Sequence, residues 1–108
     1  MNDLAARLAM LAAQNQTISY GALARDLGIP GPGAIAKLTT ALEALMQVDA
    51  AAGQPFLAAV CEGRLAQGLP AQGFFDAARA LGRDIGADPA VFVAAERAAL
   101  QRRFSRVS

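Results

Sequence analysis

The chain has 108 residues, a net charge of +1, 55% hydrophobic residues, one cysteine and no histidine. That length suits a single domain, 1–108, able to bury a core without metal or disulfide support, and a lone cysteine excludes an internal disulfide. The lack of histidine excludes His-dependent triads and most zinc sites, so the chain reads as non-enzymatic, with no cofactor and no metal.

Leu4, Leu8 and Leu11 recur at i, i+4 and i+7, which predicts a first helix over residues 3–14 with Asn2 as its cap. Asp3 and Arg7 interrupt this segment where a secretory leader would carry positive charge and then a continuous apolar run. No uncharged apolar stretch reaches the roughly 18 residues that a membrane span needs. The high hydrophobic content comes largely from 27 alanines, which favour helix and add little bulk. These features predict a soluble, cytoplasmic protein with no membrane partner.

Thr17-Ile18-Ser19 is short and partly β-branched and predicts a brief strand. Ser19 then caps a helix over 20–27, which Gly28 ends. Two prolines and two glycines in 29–33 enforce a corner. A longer helix follows over 34–49, with Ile35, Leu38, Leu42, Leu45 and Met46 on its apolar stripe and Lys37, Thr40, Glu43 and Gln47 opposite.

The run 56–61 is apolar and bounded by Pro55 and Gly63, which predicts a buried strand. Glu62-Gly63-Arg64 reads as a hairpin tip, with 65–70 returning as a second, weaker strand. Phe74, Ala78, Leu81 and Ile85 predict a helix over 72–85. The adjacent Phe74 and Phe75 are not expected to face inward together. Asp88-Pro89 starts a last helix running to about residue 103, with Val93, Leu100 and Phe104 among its apolar positions.

This order is mainly α. It predicts a winged helix-turn-helix with a small β-hairpin, the strand at 17–19 pairing with the hairpin, and two additional C-terminal helices. A plain helical bundle is the alternative.

The run Thr17-Ile18-Ser19-Tyr20-Gly21-Ala22-Leu23-Ala24, followed by Gly28 and Pro30, resembles the start of the helix-turn-helix in O6-alkylguanine-DNA alkyltransferases. The likeness spans about 30 residues, up to about 60 with the hairpin. It implies a related winged helix, and it implies that Tyr20 sits beside a DNA phosphate. It does not imply repair activity. The family's Pro-Cys-His-Arg motif is replaced by Pro55-Phe56-Leu57-Ala58, and Cys61 lies six residues beyond Pro55 with no histidine in the chain. The family's arginine near the start of the recognition helix has no clear counterpart in Ala34-Ile35-Ala36-Lys37.

The candidate DNA contacts are Tyr20, Lys37, Thr40, Gln47, Arg64, Arg102 and Arg103. Lys37, Thr40 and Gln47 would face a major groove, and Arg64 would sit on the wing. Arg102 and Arg103 belong to the densest basic cluster, which ends at Arg106. Tyr20 has a plainer reading as core packing at a helix start with its hydroxyl in water, the others have one as ordinary solvated surface, and Glu43 on the same helix face repels phosphate. Residues 1–55 carry Arg7, Arg25 and Lys37 against Asp3, Asp26, Glu43 and Asp49, a weak footprint for a nucleic-acid binder. Gly31-Pro32-Gly33 is a possible phosphate seat but lacks the Gly-Lys-Ser/Thr of a nucleotide-binding loop.

Two function classes remain. One is a DNA-binding or regulatory module of bacterial type acting on double-stranded DNA. The other is a protein-interaction or homodimer module on the same scaffold. An enzyme is disfavoured, since Asp84 and Asp88 are separated by Gly86 and need not share a face.

Overall fold

Leu4, Leu8 and Leu11 close onto one buried side of helix α1, Asp3–Ala13. The computed structural model describes residues 3–105, so the expected cap at Asn2 and the last basic residue of the tail, Arg106, lie outside the described residues. Asn15, with φ 55°, turns the chain out of α1 in the left-handed conformation that asparagine tolerates better than most residues.

Strand β1, Ile18–Ser19, leads directly into α2, Tyr20–Asp26. The Ser19 hydroxyl accepts from the Ala22 amide at 3.2 Å, the side-chain cap expected of serine at that position. Gly28, with φ 69°, ends the turn after α2, and the Ile29 amide donates back to the Ala24 carbonyl at 3.0 Å. The Pro/Gly corner then opens α3, Ala34–Ala51. Leu38, Leu42 and Met46 face the core as expected. Ile35, placed on the same stripe by its spacing, is 48% exposed. It lies on the first turn and lines a surface cleft with Tyr20, Leu42 and Met46.

The segment expected to form a buried strand is buried but not extended. A 3₁₀ helix occupies Leu57–Val60, and strand β2 is only Cys61–Glu62. The two halves of the forecast differ because hydrophobicity and length report burial, while the backbone conformation is decided by who satisfies its amides and carbonyls. Here those partners come from distant side chains, described below.

β2 pairs with β1 in parallel, Ile18 opposite Cys61 and Ser19 opposite Glu62. The expected pairing partner of the first strand is therefore right, but the hairpin is not formed. Among the described residues the sheet has two strands, and 65–70 does not return as a third. Leu65, Gln67 and Gly68 all have positive φ, which no strand accommodates. Their neighbours' amides bond locally, Ala66 to Gly63 and Leu69 to Ala66. Gly63 also backs closely onto residue 71: a Cβ on it would meet the Ala71 amide nitrogen at 3.1 Å.

Helix α4, Gln72–Ala80, is five residues shorter than the apolar spacing suggests. Gly82, at φ 84°, ends it, and the Arg83 amide donates back to the Ala78 carbonyl at 2.9 Å. Ile85 still reaches the core, from a non-helical stretch. Phe74 and Phe75 are both buried, contrary to expectation, with ring centroids 5.2 Å apart and edge to face. Phe74 also meets Phe56 edge to face at 5.9 Å and Phe92 at 6.2 Å. The short helix is thus set into an aromatic cluster rather than laid along a single stripe. Asp88 caps α5, Pro89–Phe104, by accepting from the Ala90 amide at 3.0 Å. α1 and α5 pack together and against the 3₁₀ segment, with Leu8, Leu100 and Val60 at the centre.

The fold is mainly helical, with one small parallel strand pair. Among the described residues no helix is long and apolar enough to cross a membrane.

Candidate nucleic-acid interface

Helices α2 and α3 pack against each other. On α3 the solvent side carries Lys37, Thr40, Glu43 and Gln47, all exposed, as their spacing predicts. The Thr40 hydroxyl donates to the Ala36 carbonyl at 3.1 Å, leaving its lone pairs for a further donor. Lys37 and Glu43 bring opposite charges to this face, so their charges sum to zero.

Tyr20 does not stand free as a phosphate contact. It is half-buried at the start of α2, and its hydroxyl accepts from the Ala71 amide at 3.0 Å. Burial, partly offset by that hydrogen bond, holds its phenol above the usual tyrosine value. Tyr20 therefore straps the approach to α4 onto α2. Arg64 is exposed on the loop after β2 and forms no ion pair among the described residues.

Arg102 and Arg103 are exposed in the last turn of α5. The Arg103 guanidinium lies 4.6 Å from the Phe104 ring centroid. Asp49 is held above the usual carboxylate range by burial, opposed by its bond from the Leu57 amide and by the Arg103 and Arg83 charges. Lys37 is near the start of α3, Arg64 on the loop after β2, and Arg102 and Arg103 at the end of α5. The cationic candidates thus come from three separate elements.

Several other charges turn inward. Arg97, counted by sequence with the basic C-terminus, is half-buried beneath the 56–70 segment. It donates to the carbonyls of Ala59 at 2.7 Å, Gly68 at 2.8 Å and Cys61 at 3.4 Å. Burial pulls its guanidinium below the ordinary arginine value. Arg83 bridges the Glu96 carboxylate and the Gln54 carbonyl, each at 3.0 Å, and lies over the Phe56 ring, 4.1 Å from its centroid. Glu96 accepts from the Phe56 amide and Asp49 from the Leu57 amide, both at 3.0 Å. Two carboxylates from α3 and α5 thus start the 3₁₀ turn, and one arginine from α5 closes it. Sequence reading missed all four, because nothing local distinguishes a bracing charge from a solvated one. Only Asp49 carried a hint, standing directly before the small residues Ala50 to Gly53 at a helix end.

Burial pushes the Cys61 thiol up to about 12, far from the thiolate that reactivity requires. Between α3, Tyr20 and the start of α4 lies an apolar cleft of about 120 Å³ opening to solvent. A second, shallower groove of about 310 Å³ runs between α1 and α3, lined by Leu4, Ala5, Ala41, Ala44, Leu45 and Val48. No family model, curated protein or solved structure matches the chain.

Proposed function

We propose that the chain is a non-enzymatic DNA-binding or regulatory module of the winged-helix kind, with α2 and α3 as its helix-turn-helix and the 63–69 loop standing where a wing hairpin was expected. The observation that carries this reading is the outer side of α3, where Lys37, Thr40 and Gln47 are exposed together on a helix aimed by a Ser19-capped partner and a Pro/Gly corner. A helix of 18 residues whose exposed side carries side chains of this kind suits a major groove. Arg64 would add a phosphate contact from the loop, and Arg102 and Arg103 would do so from the end of α5.

The supply of free charge sets the strength. Full engagement of the four candidate cations, Lys37, Arg64, Arg102 and Arg103, gives four phosphate contacts, so the logarithm of affinity should fall against the logarithm of salt with a slope of about −2 to −4. Fluorescence anisotropy with a random double-stranded oligonucleotide across a salt series measures this directly. Lys37→Ala should weaken binding and make the slope shallower by about one, with little change in stability. Salt-insensitive binding, or no binding at low salt, overturns the proposal.

The groove between α1 and α3 favours a second reading, a protein-interaction or homodimer module. Its lining has no charged side chain, and Val48 within it is 63% exposed. Sedimentation over a range of concentrations separates the two: a dimer lost in Val48→Glu, with Lys37→Ala inert, replaces DNA binding by self-association.

A further inference from the structure

The cleft beside Tyr20 is apolar inside and acidic at its edge. Its floor is Leu42, Met46 and Phe74, each less than one-tenth exposed. Tyr20, Thr39 and Glu43 stand around it. The mouth stays open at Gly73, where an added Cβ would meet nothing within 4 Å. Glu43 is the exposed acid of α3, Asp49 being buried. Glu43 forms no ion pair among the described residues.

Size and charge together narrow the occupant. The volume is about 120 Å³, and a space of roughly 150 Å³ accepts one benzene-sized ring. The floor offers dispersion and apolar burial but no hydrogen-bonding group that would select a polar ring. The rim offers a carboxylate as its one charged group and hydroxyls from Thr39 and Tyr20. The Tyr20 oxygen already accepts from Ala71, and its proton remains to be given. Such a site discriminates by the sign of charge on a substituent just outside the ring.

We propose that this cleft binds a compact aromatic cation, a single ring bearing an ammonium or amidinium group, with the ring on Met46 and Phe74 and the cation at Glu43. The ring supplies most of the affinity, because apolar burial inside the cleft exceeds what one exposed carboxylate contributes. Glu43 supplies the selectivity, worth a few-fold at a solvent-exposed pair.

The test uses the whole chain and three probes of matched size: benzylamine, benzyl alcohol and phenylacetate. Backbone-amide NMR titration reads both affinity and location, without DNA, so its outcome is independent of the reading above. Benzylamine should shift the amides of Thr39, Glu43 and Gly73 and bind a few-fold more tightly than benzyl alcohol, which in turn should bind a few-fold more tightly than phenylacetate. Glu43→Gln should weaken benzylamine by about two- to fivefold and leave benzyl alcohol unchanged. Thr39→Trp, at an exposed position on the wall, should fill the cleft and abolish binding of both while the remaining amides keep their dispersion. Equal binding of the three probes, an unaltered preference in Glu43→Gln, or shifts confined to the α1–α3 groove would each overturn the assignment.

Discussion

The α2–α3 corner and the 56–71 connection are neighbours in the fold, yet they are held by different kinds of force. The corner is built from local instructions. Ser19 caps its own helix, Gly28 ends it, and prolines and glycines make the turn. The connection is built from remote ones. Its amides go to Asp49 and Glu96 and its carbonyls to Arg97, from α3 and α5. A segment of the first kind keeps its shape if its surroundings change. A segment of the second kind takes its shape from its surroundings.

The sharpest way to break this contrast is to remove the arginine beneath the connection. Arg97→Ala leaves the carbonyls of Ala59 and Gly68 without their donor. Each buried group left unpaired costs about 1–3 kcal/mol, so a total loss of about 3 kcal/mol in urea unfolding is expected. A loss below about 1 kcal/mol would mean that water replaces the guanidinium and that the connection holds itself.

Asp49 gives a smaller effect whose sign is the informative part. Its carboxyl is raised by burial in the folded state, so folding favours the protonated form. The stability this group contributes is complete below the unfolded-state value, about 3.9, and is lost as pH rises through the higher folded value. Asp49→Asn keeps an acceptor for the Leu57 amide and removes the desolvated charge. It should match or exceed the parent in thermal stability at neutral pH, with the advantage fading on acidification. Asp49→Ala removes the acceptor and should cost about 1–3 kcal/mol at either pH. An asparagine variant as damaged as the alanine one would show that the charge, not the hydrogen bond, matters there.

The smallest expected effect belongs to the corner. Ser19→Ala removes one local cap, worth about 1 kcal/mol, and should leave the amide protection of the 56–62 segment at the level set by that uniform loss. Selective deprotection of 56–62 in hydrogen exchange would show that the corner and the connection are not separable.

The same contrast explains what could be read in advance. The helices at 3–13, 20–26, 34–51 and 89–104 announce themselves through apolar period, caps and terminal glycines, each an interaction within a few residues. The strand at 18–19 was also legible, as was its attachment to the later segment. The 3₁₀ turn that replaces the expected hairpin is not legible, since a run such as Phe56–Cys61 states only that it will be buried. Alanines at 58 and 59 lack the β-branching that favours a strand, and the partners that bend the run into a turn come from positions 49, 96 and 97. The apolar spacing overextends α4 because Leu81 and Ile85 keep the helical period beyond Gly82, where the backbone has already left the helix. On the candidate face, exposure of Lys37, Thr40 and Gln47 followed from period alone. The inward turn of Arg97 and the strap made by Tyr20 depend on which segments lie alongside them.

Ser19 occupies a joint with no slack. It is the last residue of β1, paired with Glu62, and at the same time the cap of α2. With no linker between them, strand and helix act as one rigid lever, and the strand pair is its fulcrum. A one-residue slip of the pair would turn Ile18 to the opposite face and swing the axis of α2 with it. The bearing of the helical corner is therefore fixed by two residues from the other half of the chain.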